Sequence, residues 1–223
     1  MLIKYSGENK FIFIANTKCA STSIEASKIA KIADIRITDN NIRKHMPIRE
    51  IHNKFDFIFE KYDFNDFFKF GIIRDPIDWV VSWFNFRSRV GLKNPNHPNH
   101  KNYTGNMTFS EFWYANKGKG FLCPQYHNFF FANKNKNLGV NYLIRQERFI
   151  EDIEPIKKIL QLDSLGINKK NKSAIKRISC KDVENKIKEE IHEQYSIDFK
   201  LIGNLKELNL KGLEQFKPKS RLK

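Results

Sequence analysis

Apolar and polar residues alternate along this chain in short blocks. KFIFIA (10–15) is a dense run of Phe and Ile bounded by polar residues, the pattern of a buried strand. TSIEASKIAKIA (22–33) sets Ile24, Ile29, Ala30 and Ala33 on one helical face, and DIRIT (34–38) predicts a second strand. In MPIREIHNKF, Ile48, Ile51 and Phe55 fall at helical spacing, with Pro47 suited to a first-turn position. FKFGIIRDP (68–76) reads as a strand ended by a charged pair and a proline. It leads into IDWVVSWFNFRSRV, where Val80, Val81 and Phe84 mark a helical core face. A polar Pro/Asn-rich loop follows, and then Thr108 and Glu111 stand at the spacing of a capping box. VNYLIR (140–145) predicts another strand and residues 149–162 a helix. Val183, Ile187, Ile191, Tyr195 and Phe199 recur every fourth residue, predicting one long amphipathic helix.

Strand, loop and helix in alternation imply an α/β domain around a mainly parallel sheet, one domain over residues 1–223. Ligands of such sheets sit at the carboxyl ends of strands, where NTKCASTS and RDP both fall. Composition narrows the class. Hydrophobic residues are 40% of the chain with 20 Phe, enough for a core, and a net charge of +15 favours an anionic partner or peripheral contact with a membrane surface. Three scattered cysteines, Cys19, Cys123 and Cys180, argue against a disulfide scaffold or a structural zinc site. No signal-peptide core and no apolar run of ~20 residues is present, so a soluble cytoplasmic protein is expected. No sequence feature bears on oligomeric state.

The first loop suits a phosphate-like group. A helix starting near Ser21 to Ser23 offers unpaired N–H groups, Ala20 and Ser21 allow close backbone approach, Lys18 adds a point charge, and Ser21, Thr22 and Ser23 add hydroxyls. The competing reading is an ordinary strand-to-helix turn capped by Ser or Thr. A nucleotide-hydrolysing GxxxxGK[ST] element is absent, and no acidic strand end stands out as a magnesium ligand. A transferred sulfuryl group carries less charge than a phosphoryl group, so lysine and backbone donors can suffice without metal. In the second loop Arg74 offers a fork of donors at a strand end, and Ser82 lies eight positions later on the following helix. Two anion cradles on neighbouring strand ends suit one ligand with two separated anionic groups.

NTKCASTSIE resembles the 5′-phosphosulfate loop of sulfotransferases that use 3′-phosphoadenosine 5′-phosphosulfate (PAPS), and IIRDPIDWVVSWFNFR resembles their 3′-phosphate motif. The chain is most similar to the family-2 type, which includes heparan and uronyl 2-O-sulfotransferases and bacterial members. KHMPIREI, CPQYHNFFF, LGVNYLIRQERFIEDI and EQYSIDFKLI match further family segments in order. The resemblance implies a P-loop-NTPase-like three-layer fold. It also implies transfer of a sulfuryl group from PAPS to a hydroxyl, foremost of a glycan, leaving adenosine 3′,5′-bisphosphate (PAP), with no metal required.

The resemblance further implies residue roles. Lys18 would contact the sulfuryl group and bridging oxygen. Backbone groups of Cys19, Ala20, Ser21, Thr22 and Ser23, with the hydroxyls of Thr22 and Ser23, would hold the 5′-phosphate. Arg74 and Ser82 would hold the 3′-phosphate, and Lys172 and Ser173, in NKKNKSAIKR, would fold over the donor. His45 would be the general base, with His52 and His127 as rivals and Glu147 as a group that orients or replaces it. The family loop commonly has Pro before the lysine and Gly near position 21, where this chain has Thr17 and Ser21. Trp79 stands where many relatives carry a charge. HPNH (97–100) reads as a solvated loop rather than a metal pair. Three other readings compete, one of them a cofactor-binding but catalytically silent relative; the other two are different function classes. One is a nucleotide-dependent kinase on a related fold. The other is a basic nucleic-acid-binding module, disfavoured because the aromatics sit at core-like spacing and no nucleic-acid motif occurs.

Overall fold

The computed structural model describes residues 1–39, 42–132, 137–166 and 177–216. Five strands form one sheet: β1 (Leu2–Lys4), β2 (Phe11–Ile14), β3 (Ile35–Arg36), β4 (Phe68–Ile73) and β5 (Tyr142–Arg145), in the order β3-β1-β2-β4-β5. The helices are α1 (Ser21–Glu25), α2 (Lys28–Lys31), α3 (Ile48–Lys54), α4 (Asp56–Phe59), α5 (Pro76–Arg87), α6 (Phe109–Asn116), α7 (Phe149–Asp152), α8 (Glu154–Ile159), α9 (Asn185–Gln194), α10 (Ser196–Gly203) and α11 (Leu205–Gln215).

The sheet is mixed rather than mainly parallel. β2 pairs parallel with β4, and β4 with β5, whereas β1 runs antiparallel to both β2 and β3. The connection from β1 to β2 covers only residues 5–10, too short for the crossover that a parallel pair needs. It turns instead through Gly7 and Asn9, both at positive φ. The Asp34 carboxylate fastens this turn by accepting from the Tyr5 and Ser6 amides and the Ser6 hydroxyl.

Strand residues alternate between two cores, one on each face of the sheet. Phe11, Phe13, Phe68, Phe70 and Ile144 pack with residues of α1, α2, α5, α6, α8 and α9. Ile12, Ile14, Ile73 and Leu143 pack with α3, α4, Leu201 of α10 and Leu205 of α11. Each such buried side chain is worth about 1.5–3 kcal/mol. The result is helices on both faces of a central sheet. The open edge of β5 is covered by Asn209, whose amide bonds both the N–H and the C=O of Leu143 at 2.9 Å.

Three expected helices are broken, each for a local reason. Ser27 re-caps the chain between α1 and α2, donating to the Ile24 carbonyl and accepting from the Ile29 amide. Pro155 opens α8 after α7 ends. The long C-terminal helix stops at Tyr195 and again at Asn204. Val183, Ile187, Ile191 and Tyr195 belong to one core, Leu201 and Leu205 to the other, so the break carries the chain from one face of the sheet to the other. The capping box on α6 is present as the sequence predicts. Among the described residues no helix is long and apolar enough to cross a membrane.

Candidate active site

β2 ends at Ile14 and the chain enters a loop with Lys18 and Ala20 at φ 56° and 54°. Non-glycine residues in this left-handed region cost about 1–2 kcal/mol each, so the surroundings must hold them. They do so from beneath. The buried Asn16 amide donates to the Ile72 carbonyl at 3.0 Å and to Gln125 Oε1 at 2.9 Å, and touches Cys19 Sγ at 3.1 Å. Trp79 Nε1 donates to the Thr17 carbonyl at 2.8 Å, which gives that fully buried indole a role in the loop. Arg74 Nη1 donates to the Lys18 carbonyl at 3.2 Å.

With the underside tied down, the N–H groups of Cys19, Ala20 and Ser21 make no backbone hydrogen bond of ordinary length and angle among the described residues, though the chain turns tightly over 17–20. Left-handed residues stand on either side of Cys19, a backbone pattern suited to aiming successive amides at an anion. Helix α1 is only five residues long, so its dipole adds little; the amides of the loop matter more. Its N-cap is Ala20, with no side-chain cap. The Ser/Thr-capped turn is therefore not what forms. Thr22 is exposed and Ser23 half-buried, while Ser21 turns into the protein. Burial pushes the Cys19 thiol well up, so it stays protonated and points inward, within 3.4 Å of Gln125 Oε1.

The second loop meets the first. Asp75 caps α5 by accepting from the Ile77 and Asp78 amides, with Pro76 in the first turn. Glu147 accepts from the Asp75 amide at 2.9 Å and lies 3.5 Å from Arg145. It thus braces the RDP turn and does not bond His45. Gln125 clamps Arg74 from both sides: Oε1 accepts from the Arg74 amide at 3.1 Å, and Nε2 donates to the Arg74 carbonyl at 2.7 Å. The buried Arg74 Nε has no hydrogen-bond partner among the described residues. Ser82 is half-buried on α5, next to Trp83.

Lys18 Nζ lies 4.1 Å from the Phe86 ring centroid and 5.8 Å from that of Trp83. Burial, then the charges of Arg89 and Arg74, lower its pKa to about 8. Among the described residues neither Lys18 nor Arg74 has a carboxylate in ion-pair range. His45 reaches the same strand end, its Nδ1 2.6 Å from the Ala15 carbonyl. That contact requires the proton on Nδ1 and leaves the Nε2 lone pair available. Burial lowers the imidazole pKa against the raising effect of the Ala15 bond. Its neighbour Lys44 pairs with Glu25 of α1 at 2.6 Å.

The rival histidines are engaged elsewhere. His52 stacks on Phe59 and meets Phe64, near the start of β4 and so at the opposite end of the sheet. His127 contacts Tyr126 and Phe131, and its carbonyl accepts from Arg49. In HPNH, His97 and His100 bond backbone groups of their own loop, and no group of three or more His, Cys, Asp or Glu among the described residues could hold a metal ion. Lys172 and Ser173 lie outside the described residues.

Three residues that sequence reasoning missed organise the site: Asn16, Gln125 and Asp198, each fully buried. Asp198, from α10, accepts the amides of Gln125 and Tyr126 at 2.7 and 2.8 Å, and burial raises its pKa to about 6. All three lie in segments that resemble the family's, and Asp198 also stands out as an aspartate three residues past Tyr195, inside an apolar helical phase.

No curated protein and no solved structure matches this chain. A model of the family described as "Sulfotransferase family" does match, over residues 2–203. The match includes both loops, His45 and the Asn16–Gln125–Asp198 network, and it bears out at family level the likeness carried by the loop motifs. The chain belongs to the sulfotransferase family, in its family-2 type, and is an enzyme of sulfuryl transfer.

Proposed function

We propose that residues 1–223 act as one P-loop-NTPase-like domain that moves a sulfuryl group from PAPS to a hydroxyl, foremost on a carbohydrate. The observation that carries this reading is the meeting of the two loops, with the Arg74 guanidinium 3.2 Å from the Lys18 carbonyl and, among the described residues, no carboxylate paired to either cation. Among the described residues, the amides at Cys19 to Ser21, without a backbone hydrogen bond of ordinary length and angle, and the unpartnered Arg74 Nε suit a ligand rich in anionic oxygens. The residues present therefore fit the donor. Amides 19–21 with the Thr22 and Ser23 hydroxyls would hold its 5′-phosphate, and Arg74 and Ser82 its 3′-phosphate.

His45 Nε2 takes the proton of the acceptor hydroxyl as the acceptor oxygen bonds sulfur. The bond from sulfur to the phosphate oxygen breaks in line, and Lys18 offsets the charge left on that phosphate, releasing adenosine 3′,5′-bisphosphate. Positioning and charge stabilisation supply most of the rate, and no metal is assigned a role. The bound Nδ1 fixes the imidazole orientation that this proton transfer requires. The acceptor is a glycan in this reading, met in the cytoplasm or at a membrane surface.

Thermal-shift titration with adenosine 3′,5′-bisphosphate tests the donor assignment, with a rise in melting temperature expected. No change at saturating ligand refutes it. Transfer of label from PAPS to a panel of sugars, lipid-linked sugars, tyrosyl peptides and small hydroxyl metabolites then tests the acceptor class. Magnesium-dependent turnover of ATP or GTP would favour a kinase, and steep salt-dependent binding of nucleic acid a nucleic-acid module.

A further inference from the structure

Lys18 and Arg89 come from different segments yet press on one aromatic ring. Lys18 Nζ is 4.1 Å from the Phe86 centroid and Arg89 Cζ is 5.0 Å from it. Cation–π attraction holds each cation to the ring, but the two repel each other. Neither side chain makes a hydrogen bond or an ion pair among the described residues. Arg89 lies just past the end of α5 and is exposed, so its place over Phe86 is not forced by core packing. Its charge depresses the Lys18 pKa more than that of Arg74 does. Arg87 stacks instead on Phe121, 3.4 Å from its centroid, and lies 5.6 Å from the Trp83 centroid.

We propose that Arg89 is a further donor-binding residue, whose guanidinium takes phosphate or sulfate oxygens at the end of the donor that Lys18 faces. Phe86 is the platform that keeps the two cations spaced for an anion between them. The planar fork of an arginine suits such oxygens better than a second lysine would. An unfavourable cluster in the free protein becomes favourable once a polyanion arrives, which concentrates binding energy on the reacting end of the ligand. This inference rests on the donor reading above.

Calorimetric titration of wild type, Arg89→Gln, Arg89→Lys and the surface control Lys93→Gln, with adenosine 3′,5′-bisphosphate and with PAPS, tests it. Arg89→Gln should weaken both ligands by at least about tenfold, Arg89→Lys should recover only part, and Lys93→Gln should stay within about twofold. Because Arg89 is exposed, the melting temperature of the free variant should match wild type. A second readout separates contact from general structure. The groups that face Lys18 are Arg89, Arg74 and the Cys19 thiol. Removing Arg89 should move the pH at which ligand affinity falls to a higher value, since one like charge is gone. Failure of wild type to bind either ligand overturns the donor reading and this inference together. Wild-type binding with Arg89→Gln equally tight for both ligands, at an unmoved pH midpoint, overturns the role of Arg89 alone.

Discussion

Replacing Gln125 should loosen both loops of the site at once. Its carboxamide receives the Arg74 amide and the Asn16 side chain and donates to the Arg74 carbonyl. In Gln125→Ala the Arg74 amide and carbonyl lose these partners, whereas Asn16 keeps the Ile72 carbonyl. Each buried polar group left unsatisfied costs about 1–3 kcal/mol, so two cost about 2–6 kcal/mol, against about 5–15 kcal/mol for a whole domain. Urea denaturation gives the loss from the midpoint if the slope is unchanged. Gln125→Glu is the finer probe because it is isosteric. One oxygen still accepts from Arg74 and Asn16, and the other can serve the Arg74 carbonyl only while protonated. Burial beside that carbonyl raises the folded pKa of the introduced carboxyl. Its contribution is then fully present below the unfolded value, about 4.3, and is lost as pH rises through the folded value. The deficit against wild type should therefore widen from pH 4 to pH 8. A loss below about 1 kcal/mol in Gln125→Ala, with bisphosphate affinity unchanged, would refute the claim that this side chain holds the loops together.

His45→Ala should lower kcat about 10²–10⁴-fold while leaving bisphosphate affinity within about twofold, and a variant with normal kcat would remove His45 as the base. Since burial lowers the His45 pKa, the acid limb of the pH–rate profile should fall below the ordinary imidazole value of about 6.5. Lys18 binds anions when protonated, so affinity for the bisphosphate should be highest below about pH 8 and decline as pH rises through that value, as calorimetry across pH would record. Gly212→Ala places a Cβ onto the Asn141 carbonyl where α11 crosses the sheet edge, and should lower the melting temperature by several degrees or more, measured by calorimetric scanning. Thr108→Ala removes the capping box of α6 and should cost about 1 kcal/mol in urea denaturation.

Short windows of sequence carried a good deal of this protein. The apolar runs at 10–15, 68–73 and 140–145 determined β2, β4 and β5, because a buried strand needs only a few consecutive bulky residues between polar ends. The Thr108–Glu111 spacing determined the start of α6 through contacts within one turn. The small and hydroxylated residues after Lys18, and the Arg74–Ser82 spacing, marked both loops of the site by residue chemistry alone. The tertiary structure decided the rest. β1 escaped notice because three residues make no pattern until a hairpin pairs them with β2. The regular four-residue repeat of 183–199 concealed a break, since periodicity reports which residues are buried and not which face of the sheet buries them. Asn16 and Gln125 are 109 residues apart in sequence, and Gln125 and Asp198 are 73, so no local window contains their bonds. The lowered proton affinity of Lys18 likewise arises from burial and from two arginines supplied by other segments. Local sterics and patterning set the elements; desolvation and long-range pairing, which exist only once the chain has folded, set the chemistry of the site.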